Sequence, residues 1–142
     1  MKKTSIVITS IANDSHPILN QYALNSRKHN ASLIVIGDTK SPEKFSIDGC
    51  DFYSIEHQKN LEFSLSKNLP TKHYARKNLG YLIAMKQGDN IIIETDDDNI
   101  PLDNFWMQRS VNAKARLSLK KGWVNVYKYF SDEHIWPRGF NL

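Results

Sequence analysis

Thr4–Ile11 reads TSIVITSI, a run dense in β-branched residues and free of Gly and Pro. Such a run reads as a buried strand. NDSHP, residues 13–17, interrupts it. Asp14 or Ser15 can cap a helix there, and Pro17 suits the first turn. Ile18, Leu19, Tyr22, Ala23 and Ser26 then recur at helical spacing, and the pattern ends near Asn30. ASLIVIGD, Ala31 to Asp38, is a second buried strand, closed by Gly37-Asp38 and Ser41-Pro42. Strand, helix, strand in about 35 residues is one βαβ unit, whose crossover is right-handed.

The alternation continues outward. DFYSI, Asp51 to Ile55, predicts a short third strand, and residues 56–69 read as helical up to Pro70. TKHYARKNLGYLIAMKQG, residues 71–88, predicts a helix with Thr71 as N-cap and Gly88 just past its end. Ala75, Leu79, Leu82, Ile83 and Lys86 form one stripe of it, and Arg76, Gly80 and Ala84 another. Gly80 costs a helix about 1 kcal/mol relative to Ala. Close packing of helix on sheet accounts for it, and close approach to a ligand is the alternative. Asn90 to Thr95 predicts a strand buried on both faces by its unbroken Ile run. After Pro101, LDNFWMQRS reads as a short helix or turn, and KGWVNVYKYF as a strand after a turn at Gly122.

These elements predict an α/β domain with a mostly parallel, Rossmann-like sheet flanked by helices, as a single domain over residues 1–142. Ligands of such sheets bind beyond the carboxyl ends of the strands. Asp38 and Asp96–Asp98 fall at two such ends.

Bulk properties narrow the function. The chain has 142 residues, 40% of them hydrophobic, enough for a core without disulfide staples. Its lone cysteine, Cys50, precludes an internal disulfide and suits a reducing compartment. No stretch approaches the roughly 18 apolar residues of a membrane span, and the expectation is a cytoplasmic protein without an integral membrane segment. Net charge is +4, from 19 Lys+Arg against 15 Asp+Glu. The basic residues Lys72, Arg76 and Lys77 gather before an acidic run. This pairing fits a phosphate ligand held with a metal, while charge alone favours the plainer reading of a solvated helix face.

That acidic run is IIIETDDDNIP, Ile91 to Pro101. Glu94 and Asp96–Asp98 repel one another unless some protonate, splay into water or bind a cation. In extended geometry Asp96 and Asp98 point one way and Asp97 the other. A D-x-D pair suits a hard divalent ion that keeps waters and takes phosphate oxygens as its other ligands. An EF-hand is excluded, because its required Gly and Glu positions hold Pro101 and Met107. The D-x-D-x-[TV] phosphatase pattern fits poorly, with Ile100 at its last place, which leaves a metal-dependent phosphohydrolase as a weaker reading. His16, His29, His57, His73 and His134 show no zinc-ligand spacing. A carboxylate cluster at the ligand edge argues against a nucleic-acid partner.

YARKNLGYLIAM, IETDDDNIP and WPRGF, in that order, resemble the STELLO-type glycosyltransferase family. More distantly they are similar to the reversibly glycosylated polypeptides, which act as UDP-arabinopyranose mutases. The resemblance implies a GT-A type of fold and a metal-dependent glycosyltransferase. Its partners would be a nucleoside diphosphate-sugar donor and an acceptor, a glycan or a protein. It implies Mn²⁺ or Mg²⁺ on Asp96 and Asp98, with Asp97 at the sugar side or bracing the loop. Arg76 and Asn78 would face the nucleotide-sugar pocket, and Thr9, Ser10, Ile11 and Asp38 would line its nucleoside part. WPRGF is similar to the VRGYP segment of the mutases, whose Arg accepts the glycosyl group, so Arg138 is the counterpart. Asn141 stands where that pattern has Pro. The family pattern continues beyond this sequence. A truncated, non-catalytic nucleotide-sugar-binding module is therefore the alternative expectation.

Overall fold

A computed structural model describes residues 3–107, 110, 112, 114, 115, 117, 119 and 121–139. Met1–Met107 form one compact unit and Gln108–Leu142 a second. The first contains strands β1 (Thr4–Thr9), β2 (Ala31–Ile36), β3 (Cys50–Tyr53) and β4 (Ile91–Glu94). Its helices are α1 (Pro17–Lys28), α2 (Ile55–Lys59) and α3 (Lys77–Lys86). The four strands make one parallel sheet in the order β3-β2-β1-β4.

The sheet is covered on both faces, which explains why its central strands are apolar without alternation. Ile6 and Ile8 of β1 and Leu33 and Val35 of β2 face α1, where they pack with Leu19, Tyr22 and Ala23. The intervening Val7, Ile34 and Ile36 face α3 and pack with Leu79, Ile83 and Ala84. One strand period thus splits a continuous apolar run into two cores. The α/β class with a parallel sheet flanked by helices is the fold observed.

Gly80 lies where α3 crosses the sheet. A Cβ there would come within 2.4 Å of Val7 Cγ1 and 3.2 Å of Ile36 Cγ1. Close packing, not ligand approach, is the reason for this glycine. Gly88 follows the helix with φ +79°, the left-handed conformation that ends helices after a C-cap.

Several local expectations change. The helix predicted from Thr71 starts later, as a 3-10 turn at Tyr74–Arg76 leading into α3 at Lys77. His73 Nδ1 accepts the Ala75 N–H at 3.0 Å and serves as the cap of that turn. Lys72 is left-handed at φ +55° and blocks continuous helix before it. The N-cap of α1 is His16, without a side-chain cap, because Asn13 Oδ1 takes the Ser15 N–H and hydroxyl. Residues 56–69 hold only α2 and a 3-10 turn at Ser64–Lys67. β4 is half-buried rather than buried on both faces, because it lies at one edge of the described sheet.

In the second unit, the strand predicted over Lys121–Phe130 is instead a 3-10 turn at Val126–Tyr129. Asn125 explains it. Its Oδ1 accepts the Tyr127 N–H at 3.0 Å, and its Nδ2 donates to the Ile135 carbonyl at 2.8 Å, ending any extended run. Gln108 and Arg109, Phe140 of the WPRGF block, and Asn141 after it lie outside the described residues. No helix among the described residues is long and apolar enough to cross a membrane.

Replacing Gly80 by Ala tests the contact with Val7. Alanine is the better helix former by about 1 kcal/mol. Overpacking a filled core costs about 1–3 kcal/mol, and a Cβ 2.4 Å from a side-chain carbon is the severe end of that range. Gly80→Ala is expected to lower stability in urea unfolding. An unchanged or raised midpoint would refute the close-packing reading.

Candidate active site

β1 is central, β2 lies on one side of it and β4 on the other, so the chain reverses direction across the sheet between them. That gap is the topological switch point, where the carboxyl ends of an open parallel sheet leave a crevice. A cavity of about 340 Å³ opens there. β1 contributes Thr9, Ser10 and Ile11, and β2 contributes Ile36 and Asp38. The lead-in to α3 supplies Lys72, His73, Tyr74 and Arg76, and the end of β4 supplies Asp96, Asp97 and Asp98. Eight residues named from the sequence are thereby brought together. Asn78 is exposed on α3 and is absent from the lining. Arg138 belongs to the second unit, exposed in a turn with Gly139.

A chain of hydrogen bonds crosses the carboxyl end of the sheet. The Ser10 hydroxyl donates to Asp97 and accepts the Ala12 N–H at 3.0 Å. The Ser10 carbonyl accepts the Ser41 hydroxyl at 3.0 Å, and that hydroxyl accepts the Asp38 N–H at 2.9 Å. The Asp38 carboxylate takes the Thr39 N–H at 2.7 Å and the His73 N–H at 3.3 Å. Asp97 is therefore a brace between β1 and β4. Asp38 holds the loop that precedes α3 in its left-handed conformation at Lys72. Burial pushes the Asp38 carboxyl pKa up. The backbone donors of Lys72, Thr39 and His73, with the Arg76 charge, outweigh that and leave it below its ordinary value.

The acidic residues do not continue the strand. Asp97 and Asp98 form a turn, closed by the Asn99 N–H on the Asp96 carbonyl at 3.3 Å. The alternation expected of extended geometry does not hold, and Ser10 rather than pleat direction sets Asp97 apart. Tyr22 of α1 supports the turn from below. Its hydroxyl lies 3.1 Å from Thr95 Oγ1 and donates to the Asn99 carbonyl at 3.0 Å. Burial, then Asp96, raises the Tyr22 hydroxyl pKa, against a lowering by the Thr95 hydrogen bond.

Two cations at the start of α3 hold the rest. Arg76 is only 3% exposed. Its Nε donates to Gln58 Oε1 at 2.8 Å, and its Nη1 to the carbonyls of Leu69 and Pro70 at 3.1 and 3.2 Å. Gln58, fully buried, donates in turn to the carbonyls of Gly37 and Tyr53. Nη2 of Arg76 has no hydrogen-bond partner among the described residues. Lys77 reaches the other way. Its Nζ donates to Asp96 Oδ1 at 2.6 Å and to the Thr95 carbonyl at 3.1 Å, with Glu94 Oε1 at 3.4 Å. Burial, then Glu94, raises the hydroxyl pKa of the neighbouring Tyr81.

Lys77, Gln58, Ser41 and Tyr22 were not identified as site residues from sequence. Lys77 alone had a signal, its place in the basic cluster before the acidic run. Among the described residues no three or more His, Cys, Asp or Glu side chains are grouped to hold a metal ion. Two carboxylates nevertheless leave oxygen free. Asp98 has no hydrogen bond or ion pair among the described residues, and Asp96 has only Oδ1 engaged. Cys50, at the far edge of the sheet, is no nucleophile, because burial and then Asp51 push its thiol up to about 12.

No known family profile matches the chain. It is similar to two curated proteins of Arabidopsis thaliana. They are "Probable glycosyltransferase STELLO2", at 25% identity, and "Probable glycosyltransferase STELLO1", at 26%. Each alignment covers 78% of this chain but only 16% of the relative. The relationship to the STELLO type is real and distant.

Gln58→Leu removes the acceptor of a buried guanidinium and the donor to two carbonyls. Breaking a buried charged pair costs about 3–5 kcal/mol. The neutral Gln58 partner places the expected loss nearer 2–3 kcal/mol, measured by urea unfolding. Loss within 0.5 kcal/mol would show the network to be slack. Asp38 gives a pH signature. Its lowered pKa adds stability that is fully present above its ordinary value of 3.8 and is lost as pH falls through the folded value. The stability difference between wild type and Asp38→Asn is expected to be constant near neutrality and to shrink in acid. A difference that grows in acid would reverse the assigned sign.

Proposed function

We propose that the switch-point cavity binds a nucleoside diphosphate-sugar together with Mn²⁺ or Mg²⁺, and that the protein transfers the glycosyl group to an acceptor. The observation that carries this reading is the convergence of Ser10, Asp38, Arg76 and Asp96–Asp98 on one cavity. Similarity to two glycosyltransferases supports the reaction class. The chain spans only 16% of the length of these relatives, and Arg138 is the counterpart of the mutases' glycosyl-accepting Arg.

The donor set fits the ion. Asp96 Oδ2 and the Asp98 carboxylate are hard oxygen ligands at the cavity. Mg²⁺ commonly binds through one or two carboxylates with waters and phosphate oxygens completing its shell. Once bound, the ion supplies Lewis-acid stabilisation to the departing diphosphate. Asp97 is committed to Ser10, and its role is to hold the turn that presents Asp96 and Asp98. Arg76 offers Nη2 to an anionic oxygen without giving up the bonds that fix its plane. A preorganised donor of this kind favours charge that develops on a leaving group.

A second reading keeps the same ligand without turnover, as a nucleotide-sugar-binding module. The engagement of Asp97 favours it, because that carboxylate is already hydrogen-bonded to Ser10 and is taken up in bracing the turn. Release of free sugar or nucleotide from a bound donor distinguishes the two.

Calorimetry with UDP-, GDP- and CDP-sugars, with and without Mn²⁺, is the direct test. Binding is expected for at least one donor and only with the ion. The paired change Asp96→Asn and Asp98→Asn is expected to weaken it about tenfold or more, equivalent to at least about 1.4 kcal/mol. Binding that ignores Mn²⁺, or no binding to any of the three, would overturn the proposal.

A further inference from the structure

Lys77 does something the expected pattern does not include. It opens α3, a position where lysine ordinarily extends into water, yet it is only 5% exposed. Its ammonium meets the Glu94 carboxylate, the Thr95 carbonyl and the Asp96 carboxylate, three oxygens from three consecutive residues. An ammonium has three donors, so this cage satisfies it fully. Burying a charge is tolerated only when it is paired and hydrogen-bonded, and both conditions hold. The environment is an oxygen cage of the kind that hard cations occupy.

The position of the cage matters. Glu94 and Asp96–Asp98 are four carboxylates in five residues, and their repulsion must be offset. Asp97 has the Ser10 hydroxyl, which carries no charge. Among the described residues the direct ion pairs of this run are those with Lys77. The bond to Asp96 also leaves that carboxylate one oxygen, which restricts any metal to a single contact with it. A divalent ion on the remaining oxygen would lie close to the ammonium, and like charges at short range repel.

We infer that Lys77 is a positioning residue and the resident counter-cation of the acidic turn. It holds Asp96 in place in the ligand-free protein and competes with a divalent ion for that carboxylate. The ion therefore binds weakly alone and firmly only when a diphosphate adds its own oxygens. The first half stands on the ion pairs alone, and the second rests on the metal and nucleotide reading above.

The test uses wild type, Lys77→Met and Lys77→Arg. Thermal melts are followed by circular dichroism in EDTA and in Mn²⁺, and Mn²⁺ binding is followed by the electron paramagnetic resonance of the free ion. Lys77→Met is expected to melt below wild type in EDTA and to gain more from Mn²⁺. Its affinity for Mn²⁺ without nucleotide is expected to rise about tenfold, equivalent to about 1.4 kcal/mol. Lys77→Arg, which keeps the charge, is expected to follow wild type in Mn²⁺ affinity. Equal melting of Lys77→Met and wild type in EDTA would overturn the counter-cation role. Unchanged or weaker Mn²⁺ binding by Lys77→Met would overturn the competition, as would a Lys77→Arg that behaves like Lys77→Met. A Lys77→Met that stays unfolded in Mn²⁺ would show that the ion cannot replace the ammonium and would also overturn it. Titration of wild type with UDP in Mn²⁺ separates the two readings. No binding there counts against the nucleotide, while the EDTA melts still decide the role of Lys77.

Discussion

The contact between Gly80 and Val7 governs how the first unit is assembled. Helix α3 lies on the sheet at a distance that no side chain at position 80 would allow. That approach buries Leu79, Ile83 and Ala84 against β1 and β2. It also brings the first residues of α3 to the level of the strands' carboxyl ends. Arg76 and Lys77 are within reach of carbonyls and carboxylates there because the helix is so near the sheet. A helix displaced by one side chain would leave two buried charges with poor partners, a costly arrangement.

From that shared origin the two cations diverge. Arg76 secures the side of β2 and β3 through Gln58 and the carbonyls of residues 69 and 70. Lys77 secures the side of β4. Between them Ser10 joins β1 to the acidic turn, and Ser41 joins β1 to β2. Every strand of the sheet is thus tied at its carboxyl end by polar groups, while its interior is apolar. The cavity is the space these ties surround.

The sequence made the sheet legible because covering both faces forces unbroken Val and Ile runs, as in Ile6–Ile8 and Leu33–Ile36. It also revealed the cavity edge, since Asp38 follows the Leu33–Ile36 run and Asp96–Asp98 follow the Ile91–Ile93 run. Residues in series with a strand inherit its position. Those that reach the site from elsewhere do not, and Gln58 and Tyr22 are of that kind. Gln58 lies in a segment with no clear period, and Tyr22 looked like ordinary helix stripe. The misreading of Lys121–Phe130 has a different cause. Its β-branched and aromatic residues carry strand propensity, but Asn125 gives the backbone a local alternative. The expected start of α3 failed for a similar reason, since Asp38, a residue 35 positions from His73, shapes that loop.

The Ser10–Asp97 hydrogen bond joins positions 87 residues apart. β1 and β2 are brought together by a much shorter loop. Closing a longer loop costs more chain entropy, and long-range parallel pairing is slow. On loop closure alone, β1, α1 and β2 are the expected early nucleus and the docking of β4 the expected late step. The cavity is not closed until that docking occurs, because its Asp96–Asp98 side arrives with the acidic turn. A chain caught before that step would hold most of its core and lack the acidic side of its cavity.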